Sequence, residues 1–513
     1  MSQQSAVGAR APGGMVSPVT GGPFFHLEAV AITDQACQGT ACFVARHRDP
    51  ERWAQAEGES PRVHCLGRCY AAPATAAETA RPPVEIDAPH AVVLERVAAG
   101  GAPTLAASRA AEGYRGLEHA LGLPPAEIVD EIDASGLRGR GGAAFPTGRK
   151  WRAVLAQGAT TAYVVCNADE GDPGAYVDRF LLEDDPHAVL EGLAIAALAT
   201  GAQRGYVYVR KEYPEALAVT ERAVAEARAE GIFGPRLLGD GPPFDVEVVE
   251  GQGSYVCGEE TALLNALEGR RPDVRARPPY PSERGLFGAP TVVNNVETLA
   301  AVPWILRHGA APYAAMGTNG SPGTKVVSLS SLFRRPGLYE VELGTRVRDI
   351  VERLGGGLTD GELRGVLVGG PLAGILPPHL LDTPLDFEAM RRVGCEVGHG
   401  GVVAVDQHTS IPELVHHVFR FGAYESCGKC TPCRVGAARI EDIFGAAIAG
   451  APGAGTHALP VLASELSEAS AREWRATVAA LAATSLCGHG GGLAAFAESV
   501  MAHFREEVDR CLG

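Results

Sequence analysis

Long apolar runs are missing from this sequence. No stretch of about 18 or more uncharged apolar residues occurs, and the best candidate, Ala188 to Ala202, is too short and contains Glu191. A membrane-spanning helix is therefore not expected. The N-terminus also lacks a basic patch followed by an apolar run, so no secretory signal peptide is predicted. We expect a cytoplasmic protein.

Positive charge is scarce as well. Lys and Arg number 45 against 61 Asp and Glu, which gives a net charge of −16 at pH 7. Because nucleic-acid affinity rests on clustered Lys and Arg, no nucleic-acid partner is expected. No short repeat runs through the chain, which excludes collagen-like and coiled-coil architectures. At roughly 150 residues per domain, the 513 residues predict three or four globular domains.

Glycine and cysteine, in contrast, are plentiful. The chain has 64 Gly in 513 residues, above the usual share of about 7%, and many of them lie in short clusters that predict loops. It also has 12 Cys. In a cytoplasmic protein, cysteines indicate metal or cofactor ligation rather than disulfides. We therefore expect the chemistry in the glycine loops and the cysteine groups.

The order of elements predicts a multidomain α/β protein. Residues 1–23 are a flexible tail, and a Pro- and Ala-rich stretch at 71–89 is typical of a linker. From about residue 110 helices alternate with strands, which indicates a largely parallel sheet. The predicted strands there are 161–166, 206–210 and 245–249, and the predicted helices are 124–135, 191–200 and 213–230.

A smaller α+β region follows, and then only helices. Strands 325–329 and 365–368 flank a helix at 348–354. After Pro412 the strand pattern disappears, which predicts a small helical bundle. Its predicted helices are 413–424, 433–448, 459–468, 472–484 and 493–508.

Three cysteines recur at two-residue gaps near the C-terminus. These are Cys427, Cys430 and Cys433, and Cys487 follows some fifty residues later. Three thiolates so spaced can hold three corners of one 4Fe–4S cluster while a fourth comes from elsewhere. Zinc is the main alternative, although zinc sites more often use two separated pairs. Structural thiols are the third interpretation.

A second cysteine group lies near the N-terminus. Its two pairs, with gaps of four and three residues, suit a 2Fe–2S cluster in which each iron takes two thiolates. Zinc and a vestigial site remain the alternatives. The pairs are Cys37 with Cys42 and Cys65 with Cys69. The isolated cysteines are interpreted as buried or incidental, namely Cys166, Cys257, Cys395 and Cys511.

A glycine-rich loop spans residues 136–148, between the helix predicted at 124–135 and another predicted to begin near Thr147. Backbone N–H groups of such a loop can approach a phosphate closely, and the following helix N-terminus favours an anion. Arg140 and Lys150 would supply positive charge. The alternative is a tight connection with solvated arginines, and the loop lacks the Gly-Lys-Ser/Thr signature of a P-loop.

Polar side chains follow the predicted strands. At the C-terminal ends of parallel strands, such groups bind ligands in open α/β sheets. Each segment could instead supply helix N-caps. The segments are Asn167 to Gly174, Tyr255 to Thr261 and Val293 to Thr298.

These segments, in this order, resemble the family of NADH-binding flavoprotein subunits. The family supplies the NADH-oxidising subunit of respiratory complex I, of NAD-reducing hydrogenases and of soluble NAD-dependent formate dehydrogenases. The resemblance covers about residues 110–492 and rests on the Gly139–Trp151 loop, the Asn167 loop, Tyr255–Glu260, Asn294–Asn295 and Glu425–Cys433. Residues 37–73 separately resemble the thioredoxin-like 2Fe–2S subunit that accompanies this family.

The resemblance implies the domains and the fold class. It implies a thioredoxin-like 2Fe–2S segment at 24–85, a Rossmann-like FMN- and NAD-binding α/β domain at 110–310, a ubiquitin-like α+β domain at 322–405 and a helical 4Fe–4S domain at 410–513. FMN is then the hydride carrier, and no side chain is needed as a nucleophile or obligatory acid–base catalyst.

The resemblance also implies the ligand sets. FMN is expected to contact Gly139, Arg140, Gly141, Lys150, Asn167, Asp169, Glu170, Tyr255, Gly258, Glu259, Asn294, Asn295 and Thr298. NAD(H) is expected against Gly142, Phe145, Asp172, Glu260, Arg277 and Tyr280. The 4Fe–4S ligands are expected to be Cys427, Cys430, Cys433 and Cys487, and the 2Fe–2S ligands Cys37, Cys42, Cys65 and Cys69.

The chain departs from the family at a few positions. Asp172 stands where many relatives have Glu, and Arg277 and Tyr280 stand where Lys and Phe are usual. An acid at 172 would repel the extra phosphate of NADPH, which favours NAD. The gap of 22 residues between Cys42 and Cys65 is shorter than in the usual thioredoxin-like subunit.

Further short motifs predict which multisubunit complex the chain belongs to. These look most like the formate dehydrogenase branch, in which partners would be an iron–sulfur and molybdopterin catalytic subunit and a small thioredoxin-like 2Fe–2S subunit. Hydrogenase diaphorase and complex I membership are the alternatives, and a zinc-bound, non-catalytic scaffold is the alternative of a different class. The motifs are Asp169–Asp172, Glu183–Pro186, Pro384–Phe387, Val397–Gly401 and Ser485–Cys487.

Overall fold

A computed structural model of the chain describes residues 35–59, 62–450 and 460–512, without the side chains of 460–467. The predicted tail at 1–23 and the first part of the predicted 2Fe–2S segment, 24–34, lie outside these ranges. None of the helices in the described ranges has the length and apolar character that crossing a bilayer requires.

The N-terminal segment consists mainly of loops. Its helices are α1 (Thr40–Val44) and α2 (Pro50–Gly58). Residues 35–59 and 62–83 contain no strand, and the single backbone bridge there joins Ala36 to Thr75. The described part of the predicted thioredoxin-like segment therefore has no sheet of its own.

The next stretch contains a strand where a linker was predicted. It holds β1 (Val84–Asp87), α3 (Glu95–Ala98), α4 (Leu105–Ala110) and α5 (Arg115–Leu121). The predicted linker at 71–89 is wrong over β1, which forms the edge of a six-stranded sheet. Its partner strand lies some 250 residues further along the chain, so local composition carries no signal for it.

The parallel sheet predicted for the central α/β unit is confirmed, and it has four strands, one more than the three that were predicted. Its helices are α6 (Pro125–Ser135), α7 (Thr147–Leu155), α8 (Val177–Asp184), α9 (Pro186–Thr200), α10 (Pro214–Ala229), α11 (Glu260–Leu267), α12 (Pro281–Arg284), α13 (Val296–His308) and α14 (Ala310–Ala314). Its strands are β2 (Tyr163–Ala168), β3 (Arg204–Val209), β4 (Asp245–Glu250) and β5 (Thr291–Asn295). The sheet order is β4-β3-β2-β5, and Asn167 pairs in register with Asn295 at its carboxyl edge.

Two residues explain how α9 packs. Gly192 approaches α13 so closely that a Cβ there would lie 2.0 Å from the Leu299 carbonyl oxygen. Glu191, the acid within the longest apolar stretch, accepts backbone N–H bonds from Tyr114 at 2.8 Å and Leu117 at 3.0 Å. The buried carboxylate therefore satisfies the amino end of α5, which accounts for a charge inside an apolar helix.

The α+β unit contains one mixed sheet of order β1-β9-β8-β12-β10-β11. The elements of this unit are β6 (Gly317–Thr318), β7 (Ser321–Pro322), β8 (Thr324–Leu329), β9 (Leu338–Glu342), a π-helical turn (Asp349–Leu354), β10 (Leu363–Val368), β11 (Ile375–Leu376), α15 (Phe387–Arg392) and β12 (Gly401–Asp406). β6 and β7 pair with each other in a separate two-stranded sheet. Both strands and the helix predicted for this region are confirmed.

The C-terminal region is helical, with two corrections. It contains α16 (Ile411–Tyr424), α17 (Thr431–Ala449), α18 (Pro460–Thr484), α19 (Gly488–His503) and α20 (Arg505–Leu512). The predicted break at 469–471 is wrong, because Ala-Ser-Ala offers no Gly or Pro to end a helix. The predicted helix 493–508 is two helices, since Phe504 leaves helical geometry with φ −130°.

A buried ion pair joins the two sheet units. Lys325 on β8 bonds to Glu297 in the first turn of α13, and both side chains are fully buried. Glu297 also accepts the Val326 backbone N–H at 2.9 Å.

Lys325→Met is expected to lower the urea midpoint by an amount equal to about 3–5 kcal/mol of unfolding free energy, because it leaves a buried carboxylate unpaired. Arg348→Ala, which removes an exposed pair with Asp382, is the control and should leave the midpoint nearly unchanged.

Candidate functional site

A cavity of about 960 Å³ opens at the carboxyl edge of the α/β sheet. Such a volume suits a ligand of cofactor size. Sixteen of the residues predicted to bind FMN or NAD(H) line it, namely Gly139, Gly141, Gly142, Phe145, Lys150, Asn167, Asp169, Asp172, Tyr255, Gly258, Glu259, Glu260, Arg277, Tyr280, Asn294 and Asn295.

Three predicted residues lie behind the cavity wall instead. The Arg140 guanidinium is buried and donates to Tyr313 Oη at 2.7 Å and to the Pro322 carbonyl at 2.8 Å. The guanidinium that was expected to supply positive charge to a phosphate is therefore outside the cavity lining. Thr298 Oγ1 accepts the Arg140 N–H at 2.9 Å and so holds the glycine loop on α13. Glu170, the third, is fully buried.

The glycine loop between α6 and α7 presents backbone to the cavity. Gly136 ends α6 with φ 69°, and Gly142 has φ 112°, a conformation that side chains rarely adopt. A Cβ at Gly141 would lie 2.9 Å from the Asn295 Cβ. Lys150 on α7 lines the same wall, where its Nζ bonds to Glu260 Oε2 at 3.1 Å. A bare backbone beside an ammonium group fits a phosphate.

The strand-end segments serve both as caps and as cavity walls. Asn295 caps α13 by accepting the Thr298 N–H, and Glu259 caps α11 by accepting the Thr261 and Ala262 N–H groups. Asn294 Oδ1 accepts Trp151 Nε1–H at 2.8 Å, which fixes the orientation of its amide at the wall. The capping interpretation is thus confirmed for two residues that also line the cavity.

The outer part of the cavity offers aromatic faces and acids. Phe145 and Tyr280 remain 51% and 53% exposed, which is unusual for large rings in a folded wall and suits stacking of a heterocycle. Tyr255 Oη donates to Asp172 Oδ1 at 2.6 Å. Burial raises the pKa of Asp172 above its usual range. The Tyr255 phenol therefore fixes one oxygen of the Asp172 carboxyl group at the cavity wall.

Residues outside the predicted sets complete the cavity. His399 comes from the turn before β12, and Gly488, His489 and Gly491 come from the start of α19. His489 Nε2 bonds to the Gly422 carbonyl at 2.8 Å. In the sequence, the Val397–Gly401 segment indicates only the type of assembly. The glycines of this segment indicate a loop. That three separate units line one cavity depends on contacts between distant parts of the chain, which the local sequence does not show.

His399 carries a positive charge at the cavity wall. Its Nε2 lies 3.1 Å from Asp178 Oδ2 and 3.6 Å from Glu170 Oε1. Burial opposes the charged imidazole, but the Asp178 carboxylate outweighs it and raises the pKa of His399 to about 9. Burial also raises the pKa of Glu170 to about 8. At neutral pH the imidazolium therefore pairs with the Asp178 carboxylate, whereas Glu170 is mostly protonated.

Removal of this imidazolium should have a pH-dependent effect. The folded pKa of His399 lies near 9 against an unfolded value of 6.5, so its contribution is complete below about pH 6.5 and is lost as pH rises through about 9. His399→Gln is expected to lower the unfolding free energy by about 3 kcal/mol near pH 7 and by much less above pH 9. Urea titrations of both proteins at the two pH values measure this difference. The exposed His119→Gln should show no change at either pH, and a constant deficit in His399→Gln would contradict the charge balance.

The four C-terminal cysteines converge as predicted. Cys427 and Cys487 pack beside Val256, Ala262 and Val274. Cys430 and Cys487 are the N-caps of α17 and α19, so two helix N-termini favour thiolates here. Burial, with the charges of Cys427 and Cys433, raises the pKa of Cys487 to about 12, a penalty that metal ligation offsets.

The four N-terminal cysteines converge as well, and all are buried. The Cys65 and Cys69 sulfurs are 3.5 Å apart. The hydrogen bond from the Cys42 thiol lowers the pKa of Cys37 to about 7. The sequence pairs are thus also spatial pairs, as two irons with two thiolates each require. Three backbone N–H groups donate to the sulfurs at 3.3 to 3.4 Å, those of Gly39, Gly67 and Ala74.

Both cysteine groups border the cavity. Cys487 is followed directly by Gly488 and His489, which line it. On the other side Pro173 follows the lining residue Asp172, and a Cβ at Gly39 would lie 3.3 Å from the Pro173 Cβ. A ligand in this cavity is therefore separated from each cysteine group by only a few residues.

Comparison with known families agrees with this geometry. A model described as the Nuo51 FMN-binding domain matches residues 132–304, and one described as the NADH-ubiquinone oxidoreductase-F iron-sulfur binding region matches residues 413–511. The chain is similar to the F 2 subunit of NADH-quinone oxidoreductase from Rhizobium meliloti (strain 1021), with 44% identity over 68% of this chain and 81% of that protein. It is also similar to the HndC subunit of the NADP-reducing hydrogenase from Solidesulfovibrio fructosivorans, with 44% identity over 65% of this chain and 68% of that protein.

A solved structure is similar over nearly the whole chain. This is NAD⁺-reducing NiFe-hydrogenase in the H₂-reduced state, with a TM-score of 0.76, 30% identity, and coverage of 96% of this chain and 87% of that chain. The predicted FMN and 4Fe–4S cofactors are confirmed by the two family matches. The chain therefore belongs to the NADH-quinone oxidoreductase F-type family of flavin-binding and iron–sulfur-binding oxidoreductase subunits.

Proposed function

We propose that the chain is a diaphorase subunit that passes electrons between NAD(H) and its iron–sulfur clusters through FMN. The observation that carries this proposal is the cavity that borders both cysteine groups. NAD(H) exchanges a hydride, which is two electrons, whereas a cluster exchanges one electron at a time. FMN would supply the conversion between the two. The chain's own residues would therefore bind and orient FMN and NAD(H) and screen them from solvent.

The site residues have distinct tasks in this proposal. The backbone of the glycine loop and Lys150 hold the FMN phosphate, and Asn167, Asn294 and the edge residues Tyr255 and Gly258 hold the rest of FMN. Phe145 and Tyr280 stack against the dinucleotide, with Asp172, Glu260 and Arg277 around it. Arg140, Glu170 and Thr298 support these walls from behind.

The N-terminal cysteines hold a 2Fe–2S cluster in this proposal. Their convergence in a buried site supports it, as do the N–H groups that donate to the sulfurs.

Cys65→Ser should lower the iron content by about two atoms per chain, as loss of a 2Fe–2S cluster requires. Iron analysis of the anaerobically purified protein measures this. An unchanged iron content would remove the second cluster from the proposal.

We infer that the assembly is a soluble NAD-dependent formate dehydrogenase of the cytoplasm. A molybdenum- or tungsten-containing subunit would oxidise formate, a small thioredoxin-like 2Fe–2S subunit would accompany it, and this chain would reduce NAD⁺. The support is the set of sequence motifs, among which Val397–Gly401 brings His399 into the cavity wall. An NAD-reducing hydrogenase is the second candidate, because the similar solved structure of that class covers 96% of this chain.

Two experiments test these statements separately. Anaerobically purified protein should be yellow-brown, contain FMN and iron, and reduce ferricyanide with NADH. Colourless protein that contains only zinc would instead support the non-catalytic scaffold. Metal analysis of the complex isolated from its native source then decides the assembly, since molybdenum or tungsten supports formate oxidation and nickel supports the hydrogenase.

A further inference from the structure

Three metal-ligating side chains meet where the N-terminal segment packs against the end of β12. His47 lies in the turn Arg46–Arg48, Asp406 is the last residue of β12, and His408 follows two residues later. One ligand atom from each lies within 4.8 Å of the other two. None of the three lines the cavity described above.

The polar atoms of this group lack ordinary partners. Asp406 is 1% exposed, and its Oδ2 has no hydrogen-bond partner among the described residues. Both ring nitrogens of His47 are likewise buried without a partner in that part of the chain. Buried polar atoms are nearly always bonded in folded proteins, so these unsatisfied atoms on facing residues point to a ligand between them.

An ion pair between His47 and Asp406 does not satisfy the group. His47 Nε2 and Asp406 Oδ2 are 3.6 Å apart, too far for a hydrogen bond. The His408 ring stacks on His47 with centroids 4.3 Å apart, which disfavours a charge on both rings.

The surrounding contacts fix the geometry before any ligand arrives. Asp406 Oδ1 accepts the His408 N–H at 3.1 Å, which turns Oδ2 toward the two rings. Arg48 donates to the Ser331 carbonyl at 2.7 Å, and Arg46 bonds to Glu413 at 2.9 Å. Both ends of the turn that carries His47 are therefore anchored.

We propose that His47, Asp406 and His408 form a site for a zinc-class divalent cation that ties the N-terminal cluster segment to the central strand of the α+β sheet. Two imidazoles and one carboxylate form an N₂O ligand set that zinc commonly takes, with water in the fourth position. His408 is exposed, which gives the ion a route from solvent. The ion is structural, because it bridges two units and stands apart from the cavity.

The test counts zinc in the complete chain with its clusters. Wild type, His408→Asn and His119→Asn are treated briefly with a chelator, dialysed against micromolar zinc and analysed for metal. Wild type and the control His119→Asn should each hold one more zinc per chain than His408→Asn. His408 is exposed, so its replacement should leave the fold intact, and zinc at cysteine sites would be equal in all three proteins.

A thermal measurement provides the second readout. Zinc should raise the melting temperature of wild type and His119→Asn, because an ion that binds only the folded state stabilises it. It should have no such effect on His408→Asn, in which affinity falls at least about tenfold. Equal zinc content in wild type and His408→Asn, or an equal thermal shift, would overturn the proposal.

Discussion

Cys430→Ser is expected to abolish the electron paramagnetic resonance signal of the reduced 4Fe–4S cluster and to leave FMN bound. Cys430 caps α17 beside Cys427 and Cys433, so serine fits the backbone but replaces a thiolate by a poor iron ligand. The cavity walls come from other residues and should keep their shape. NADH should therefore still reduce the flavin, while electron flow out through this cluster is lost.

The matched control is Cys511→Ser. Cys511 is an isolated, half-buried cysteine on α20 and belongs to neither converging group. Its replacement should preserve the cluster signal, the FMN content and the rate of ferricyanide reduction. A cluster signal that survived in Cys430→Ser would show that the ligand assignment is wrong. Loss of both FMN and the cluster would show that the two sites are not structurally separate.

Local signals account for the parts of the fold that the sequence predicts. Gly136 ends α6 in a left-handed conformation, and the cysteine spacings alone identify both converging groups. The strand-end residues Asn167 and Asn295 share one edge because parallel strands align their carboxyl ends. These features depend on a few neighbouring residues, so a single sequence carries them.

The remaining features depend on pairings between distant segments. β1 is a strand only because β9 lies beside it, and its composition is that of a linker. The glycine neighbours of Arg140 favour a phosphate ligand, yet Tyr313 and Pro322 hold its side chain in the interior. His399 enters the site because Asp178, over two hundred residues earlier, holds it there. No local pattern distinguishes these outcomes.

Gly139→Leu is expected to lower the FMN content of the folded protein. Gly139 lines the cavity, and a Cβ there meets nothing closer than 3.7 Å, so the backbone accepts a side chain without strain. The rest of the leucine side chain would then occupy space that we assign to FMN. Overpacking of about 1–3 kcal/mol corresponds to a loss of roughly fivefold to 150-fold in affinity. Flavin released from the denatured protein, measured by fluorescence, gives the FMN content.

Gly58→Leu is the matched control, because Gly58 is exposed at the end of α2 with no atom within 4 Å of its Cβ position. It should keep the FMN content of wild type. In Gly139→Leu the 4Fe–4S signal should also persist, since the ligands of that cluster lie in the C-terminal helices. That persistence separates a filled cavity from a misfolded chain. Full retention of FMN in Gly139→Leu would mean that the glycine loop does not form the flavin wall, and that the phosphate lies elsewhere in the cavity.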